Sequence, residues 1–205
     1  IWHVEVAQAN EKAGPWFTLD GMKNLPIPTA VKAARQAAES LLAPPVQFLP
    51  LDAHRHLLPE AAAAYHRSWH EAHQNNATPQ MLREYTPLYM EMLLRSHLDT
   101  GKQVYALKAA EKVAGVMVLD GERNELCTLY IAPEMQKRHI GAQAVQFAIA
   151  RLDKKRDMLV TALEKAPQAL KLYQNAGFSQ VKERRLLNKK FDLWEILLIR
   201  PGEEK

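Results

Sequence analysis

Residues 129–142 read Leu129-Tyr130-Ile131-Ala132-Pro133-Glu134-Met135-Gln136-Lys137-Arg138-His139-Ile140-Gly141-Ala142. An apolar, strand-like run stops at Pro133, a short basic loop follows, and a helical pattern begins near Ile140. The first amides of a helix have no internal partner, and the helix dipole adds partial positive charge beside them. That arrangement suits a pyrophosphate. Gly141 and Ala142 let an anion approach the backbone closely, and Lys137 and Arg138 can pair with its oxygens. Taken alone, the stretch from Gln136 to Ala142 is equally compatible with an ordinary strand-to-helix turn that has a solvated basic face.

Other residue types with chemical potential carry weaker patterns. His66, His70 and His73 stand at helical spacing and share one face. No carboxylate or cysteine completes them at a metal-ligand spacing, so a solvated helix edge is expected and no metal. Cys127 lies mid-strand among apolar residues, which predicts a small buried side chain. A nucleophilic role would need an adjacent base, and nothing marks one. The run Lys182-Glu183-Arg184-Arg185, followed by Lys189-Lys190, reads as the decoration of a hairpin.

The elements that must position these residues follow from pattern. Residues 1–44 read as a β-β-α unit: a strand over Trp2, Val4 and Val6, a second over Trp16, Phe17 and Leu19, and an alanine-rich helix from Thr29 to about Leu42. Pro44-Pro45 closes it, and its role is open: a small domain, a packing layer or a dimerisation arm, so a homodimer is one expectation. Residues 46–200 form a second unit. Its predicted order is β-α-α-β-β-β-α-β-α-β-β, an α+β sheet with helices on both sides. The first helix carries Leu58, Ala61, Ala62, Tyr65, Trp69 and Ala72. The second starts at Thr78-Pro79 and carries a stripe from Met81 to Leu93. Strands are expected over Val104–Leu107, Val113–Leu119, Leu126–Ile131, Met158–Leu163, Phe178–Leu187 and Leu193–Arg200. Helices are expected over Ile140–Leu152 and from Pro167 to Gly177.

Composition narrows the classes. The chain has 205 residues, 47% hydrophobic and 24% charged, close to an average globular protein. That excludes a collagen-like chain, a rod and a wholly disordered chain. No apolar run approaches ~18 residues, so no membrane span is expected. One cysteine excludes an internal disulfide and a multi-cysteine zinc site, and suggests a reducing, cytoplasmic setting. The net charge of +4 gathers in three clusters, around Lys137-Arg138-His139, Arg151 to Arg156 and Lys182 to Lys190. An anionic small molecule accounts for them as well as a nucleic acid would, and a nucleic-acid partner is not expected.

The loop and the segment after it resemble the GNAT superfamily of acyl-CoA-dependent N-acetyltransferases. The family signature Gln/Arg-x-x-Gly-x-Gly/Ala appears as Gln136-Lys137-Arg138-His139-Ile140-Gly141, with His139 where the first glycine usually stands. Downstream, Ala169-Leu170-Lys171-Leu172-Tyr173-Gln174-Asn175-Ala176-Gly177-Phe178 is similar to the family's Ala-x-x-x-Tyr-x-x-x-Gly-Phe pattern. The resemblance spans the chain from Val46 onward. It implies a mixed, mainly antiparallel sheet flanked by helices. It also implies acetyl-CoA as cosubstrate, with no metal, and an amine acceptor that is a small molecule or a peptide. Backbone amides near Leu129, Tyr130 and Ile131 would hold the pantetheine arm. Gln136, Lys137, Arg138, His139, Ile140, Gly141 and Ala142 would hold the pyrophosphate. Tyr173 would be the general acid for the departing thiolate. Glu125, on the strand leading to the loop, would be a base acting through water, or simply a polar strand end. One of the first helices' histidines could touch the acceptor. The family's pantetheine-contacting asparagine is replaced by Ala166, and a glutamate found on the preceding strand in some relatives by Thr161. Direct acetyl transfer is the leading expectation, and a non-catalytic acyl-CoA sensor or scaffold is the alternative.

Overall fold

The computed structural model describes residues 45–203 apart from 76, 110 and 189–192. The β-β-α unit expected of residues 1–44, and Lys189 and Lys190 of the third basic cluster, lie outside the described residues.

The strands are β1 Gln47–Pro50, β2 Gln103–Ala109, β3 Lys112–Asp120, β4 Glu125–Ile131, β5 Met158–Leu163, β6 Ser179–Asn188 and β7 Leu193–Arg200. The helices are α1 Leu58–His73, α2 Pro79–Glu84, α3 Pro87–Asp99, α4 Ile140–Arg151 and α5 Pro167–Asn175. The stripe from Met81 to Leu93, expected as one helix, is thus divided into α2 and α3. The cause is a second cap. Thr86 precedes Pro87, which drives it to ψ 168° and out of the helical region. Its hydroxyl then accepts from Tyr89 N at 3.2 Å, repeating the bond from Met81 N to Thr78 Oγ1 at 2.9 Å.

The sheet has seven strands in the order β1-β2-β3-β4-β5-β7-β6. Every neighbouring pair is antiparallel except β4 with β5. β3 is buried from Val113 to Asp120, as a central strand covered on both faces must be. On one face Phe147 of α4 stacks on Phe48 at 4.0 Å and meets Tyr105 at 5.2 Å. On the other, Tyr65 of α1 packs on Tyr130 at 4.8 Å. The core is built from both layers and includes Leu58, Met90, Leu94, Met117, Leu126, Ile140 and Leu198.

Two local features set the site. Opposite β3, β4 carries one extra residue: Leu119 pairs with Leu126 and Val118 with Thr128, so Cys127 is a bulge. Past it, the backbone alternation of β4 is reversed. The second feature is Gly115. A Cβ there would overlap the Tyr130 carbonyl oxygen and lie 3.1 Å from Ile131 Cα, so only glycine admits β4 this close.

Candidate active site

β4 and β5 are joined by Glu125↔Leu159 and Leu126↔Val160 and by no later pair, although β4 continues to Ile131 and β5 to Leu163. The two strands therefore branch at the middle of the sheet. Which groups line the branch follows from register. Ala132 N donates to Ala114 O at 2.8 Å, and Gly115↔Ile131 and Met117↔Leu129 are opposed pairs. In an antiparallel ladder this turns Thr128, Tyr130 and Ala132 toward β3. The N–H groups of Leu129 and Ile131 point the other way, to the edge that β5 has left. Tyr130, expected to offer its amide there, gives it to β3.

The loop from β4 to α4 begins with a 3-10 turn at Pro133–Met135. Lys137 and His139 both take left-handed backbone, φ 59°. His139 therefore adopts a conformation that glycine takes without strain, and it is the N-cap of α4. The first bond of α4 runs from Gln143 N to His139 O at 3.0 Å. Ahead of it the amides of Ile140, Gly141 and Ala142 have no acceptor within the helix. The Gln136 side chain ties the loop down: Nε2 donates to Ile131 O at 3.1 Å and to Glu71 Oε2 at 2.6 Å. Arg67 and Glu134 make a parallel link at 2.8 Å. Both links join the loop to α1, so the helix N-terminus and the branch are held as one frame.

Tyr173 is buried on α5, its ring edge-on to Phe178 at 5.9 Å. Gly177 ends the helix in left-handed backbone, φ 89°, and lets Phe178 N return to Tyr173 O at 3.1 Å. Burial pushes the Tyr173 phenol well above the ordinary tyrosine range. It is a neutral proton donor at any physiological pH.

The Tyr130 phenol feels the Tyr173, Tyr65 and Glu195 side chains, and burial above all raises it as well. His73 Nε2 lies 3.5 Å from the Tyr130 hydroxyl. Tyr65, hydrogen-bonded to Thr128, is pushed up to about 12 chiefly by burial. Trp69 stacks on His73 at 4.6 Å and on Tyr85 at 4.4 Å. The solvated edge expected for the three histidines is thus overturned for His73. It is buried, and desolvation pulls it down to about 4, which keeps the ring neutral. His66 and His70 pair with each other at 4.2 Å instead.

Glu125 is buried where β4 and β5 are still paired, with Oε2 3.2 Å from Arg123 Nε. Five residues of strand, ~16 Å, separate it from Tyr130. Glu125 thus stands at the closed end of the branch and Tyr130 on its open arm. Cys127, half-buried in the bulge, has its thiol pushed up to about 11, mainly by burial and then by Glu125. The native protein should therefore react with iodoacetamide at pH 8 roughly 10²-fold more slowly than a free thiol of ordinary acidity. The rate should climb steadily up to pH 11. A plateau near pH 8.5 would contradict this environment. Among the described residues no cluster of histidine, cysteine or carboxylate is placed to hold a metal, and no helix is long and apolar enough to cross a membrane.

Sequence reasoning missed the phenol of Tyr130, the inward turn of His73 and the position of Glu195. The α1 stripe offered a partial signal, since Tyr65, Trp69 and His73 recur at helical spacing.

Residues 70–190 match the model of the acetyltransferase (GNAT) domain. No curated protein matches the chain. The fold resembles that of an acetyltransferase from Thermus thermophilus, 20% identical, with a TM-score of 0.57 over 76% of this chain and 96% of that one. It also resembles the PaiA N-acetyltransferase of Thermoplasma acidophilum in complex with coenzyme A, 16% identical, with a TM-score of 0.56 over 77% and 98%. A third neighbour is the ribosomal-protein-S18-alanine N-acetyltransferase of Escherichia coli, 17% identical, with a TM-score of 0.58 over 78% and 95%. With its branched strands, its basic strand-to-helix loop and a family match over more than half its length, the chain belongs to the GNAT acetyltransferase family.

Proposed function

We propose that this chain transfers an acetyl group from acetyl-CoA directly to an amine. The observation that carries the reading is the branch: two outward amides, Leu129 and Ile131, stand beside a helix N-terminus reached through two left-handed residues. The Leu129 and Ile131 amides hold the pantetheine arm and polarise the thioester carbonyl, donors preorganised for the developing oxyanion. The amides of Ile140, Gly141 and Ala142 hold the pyrophosphate, with Lys137 and Arg138 adding charge. Gln136 acts indirectly, by fixing the loop to Ile131 and Glu71. Tyr173 gives its proton to the departing sulfur. Holding amine and thioester together supplies much of the acceleration. Glu125 could take the amine's proton only through a chain of waters along β4.

One observation favours a second reading, acyl-CoA binding without turnover. Ala166 caps α5 with no side-chain hydrogen bond, so the contact the family makes from that position is missing.

Calorimetry with acetyl-CoA tests the loop. Gly141→Glu is expected to weaken binding by about 10²-fold or more, because a carboxylate would face the pyrophosphate. Gly141→Ala is the control: its Cβ would lie 3.3 Å from the movable Leu172 Cδ2. The expected loss for alanine is below about 3-fold, under 1 kcal/mol. Equal affinities for wild type and Gly141→Glu would remove the pyrophosphate from this loop.

A further inference from the structure

The register sets one side chain between the two outward amides. Tyr130 opposes Val116 and Thr128 opposes Val118, so both stand on the face of the sheet where Tyr65 of α1 packs. Tyr130 follows Leu129 and precedes Ile131, whose N–H groups point into the branch. Its phenol feels the Tyr173 side chain, the donor proposed for the departing sulfur. Glu195 shares the face across the branch, since Glu125 pairs with Leu159, and Leu163, four residues on, with Glu195. Burial first, and the Glu195 charge with it, keep the Tyr130 phenol protonated.

Two contacts fix this phenol. Tyr65 packs against its ring at 4.8 Å, and His73 Nε2 lies 3.5 Å from its hydroxyl. Among the described residues the hydroxyl has no other hydrogen-bond partner. Tyr65 spends its own hydroxyl on Thr128. The His73 ring is in turn clamped by Trp69, stacked on it with 22° between the planes. Tyr65 and His73 are buried, and Tyr130 keeps part of its surface. Withdrawal from water keeps the His73 ring neutral, with one nitrogen bare. A phenol is the stronger donor and an imidazole nitrogen the stronger acceptor. The Tyr130 hydrogen therefore points at Nε2, and the His73 hydrogen sits on Nδ1. The phenol oxygen then has only lone pairs left to offer.

We propose that Tyr130 aims the attacking amine: its oxygen accepts one amine N–H, which turns the nitrogen lone pair toward the acetyl carbon, and His73 is the positioning residue that keeps the phenol an acceptor. A hydroxyl free to rotate would also donate to that lone pair and block the attack. Tyr130 exchanges no proton in this step. The nitrogen bonds to the acetyl carbon, the carbon–sulfur bond breaks, Tyr173 protonates the sulfur and the nitrogen's surplus proton leaves to water. This rests on the acetyl-transfer reading above and adds two residues to it.

The test is amine-dependent thiol release by wild type, Tyr130→Phe, His73→Phe, His73→Gln and the double variant Tyr130→Phe with His73→Phe, using the amine of a panel that wild type turns over fastest. Tyr130→Phe is expected to lower kcat about 10–100-fold, the worth of a small misplacement of one reactant. Its KM for acetyl-CoA should stay within about 2-fold, since backbone amides hold the pantetheine. His73→Phe keeps a ring on Trp69 and removes the acceptor, and should lose about 10-fold in kcat. His73→Gln sets an amide oxygen near the place of Nε2 and should recover most of that loss. In the double variant the His73 change should cost nothing further, because it acts only through the phenol. Full kcat in Tyr130→Phe would overturn the proposal and leave acetyl transfer intact. So would a His73→Phe loss that persists in the double variant, or one that His73→Gln does not relieve, each the mark of a merely structural role. Acetyl-CoA binding with turnover of no amine would overturn both readings.

Discussion

Replacing Tyr173 by phenylalanine is expected to lower kcat by about 10²–10⁴-fold, the usual worth of a positioned proton donor. Acetyl-CoA affinity should stay within about 2-fold, under 0.5 kcal/mol. The ring would remain against Phe178, so the melting temperature should hardly change. The chemistry explains the size. A thiolate expelled into a water-poor cleft is a poor leaving group, and the buried phenol on α5 is the proton donor proposed for it. Because burial holds this phenol above its ordinary range, the active, protonated form persists through alkaline pH. No fall in rate attributable to Tyr173 should appear between pH 6 and about pH 10. An acetyl thioester with a more acidic thiol needs less protonation, so the variant's deficit should shrink with it. If Tyr173→Phe kept full kcat, or lost it equally for both thioesters, the phenol would not be the acid.

The second large effect concerns stability. Asn124 is fully buried in the β3–β4 turn with φ 54°. Its Nδ2 donates to the carbonyls of Asp153 at 3.0 Å, Arg156 at 3.2 Å and Asp157 at 3.0 Å, while Oδ1 accepts from Asp153 N at 2.9 Å. This one side chain fastens the connection from α4 to β5 against the base of the branch, where Leu159 N also bonds Asn124 O at 3.0 Å. Asn124→Ala should cost roughly 3–5 kcal/mol, since several buried backbone groups lose their partner at once. That is a large part of a typical domain's stability. Asn124→Gly should be about 1 kcal/mol less damaging than alanine, because it removes the bonds but not the ease of a left-handed backbone. Asn124→Asp should be at least as damaging as alanine, since it sets a carboxylate against three carbonyl oxygens. Urea midpoints at constant slope read all three. A loss below about 1 kcal/mol for Asn124→Ala would mean that the loop is held by other contacts.

Much of the fold was legible because its signals are local. Alternation marked β2 to β4, Pro167 opened α5, and Thr78-Pro79 opened α2. The break at Thr86-Pro87 carried the same cap-and-proline signal. It was hidden because the apolar stripe keeps helical spacing straight across it. The anion loop was legible for a related reason: its chemistry is that of backbone amides at a helix start, which strand-loop-helix order alone specifies. The face of the branch that α1 covers was not. A bulge at Cys127 involves no glycine and leaves no mark in the sequence, yet it decides that Leu129 and Ile131, rather than Tyr130, offer their amides to the branch. Tyr130 and Glu195 come to share a face only through the register of the strand between them. His73 reads as an edge residue until α1 is set down with Trp69 and Tyr130 beneath it.

In the function proposed, the branch binds acetyl-CoA in order to transfer its acetyl group. Release of the CoA thiol, followed with and without a panel of amines, tests it most directly. The expected release depends on the amine, saturates with it, and matches one acetylated amine for each thiol. Acetyl-CoA that binds but yields no amine-dependent thiol would contradict it and make the chain a CoA-binding domain without catalysis.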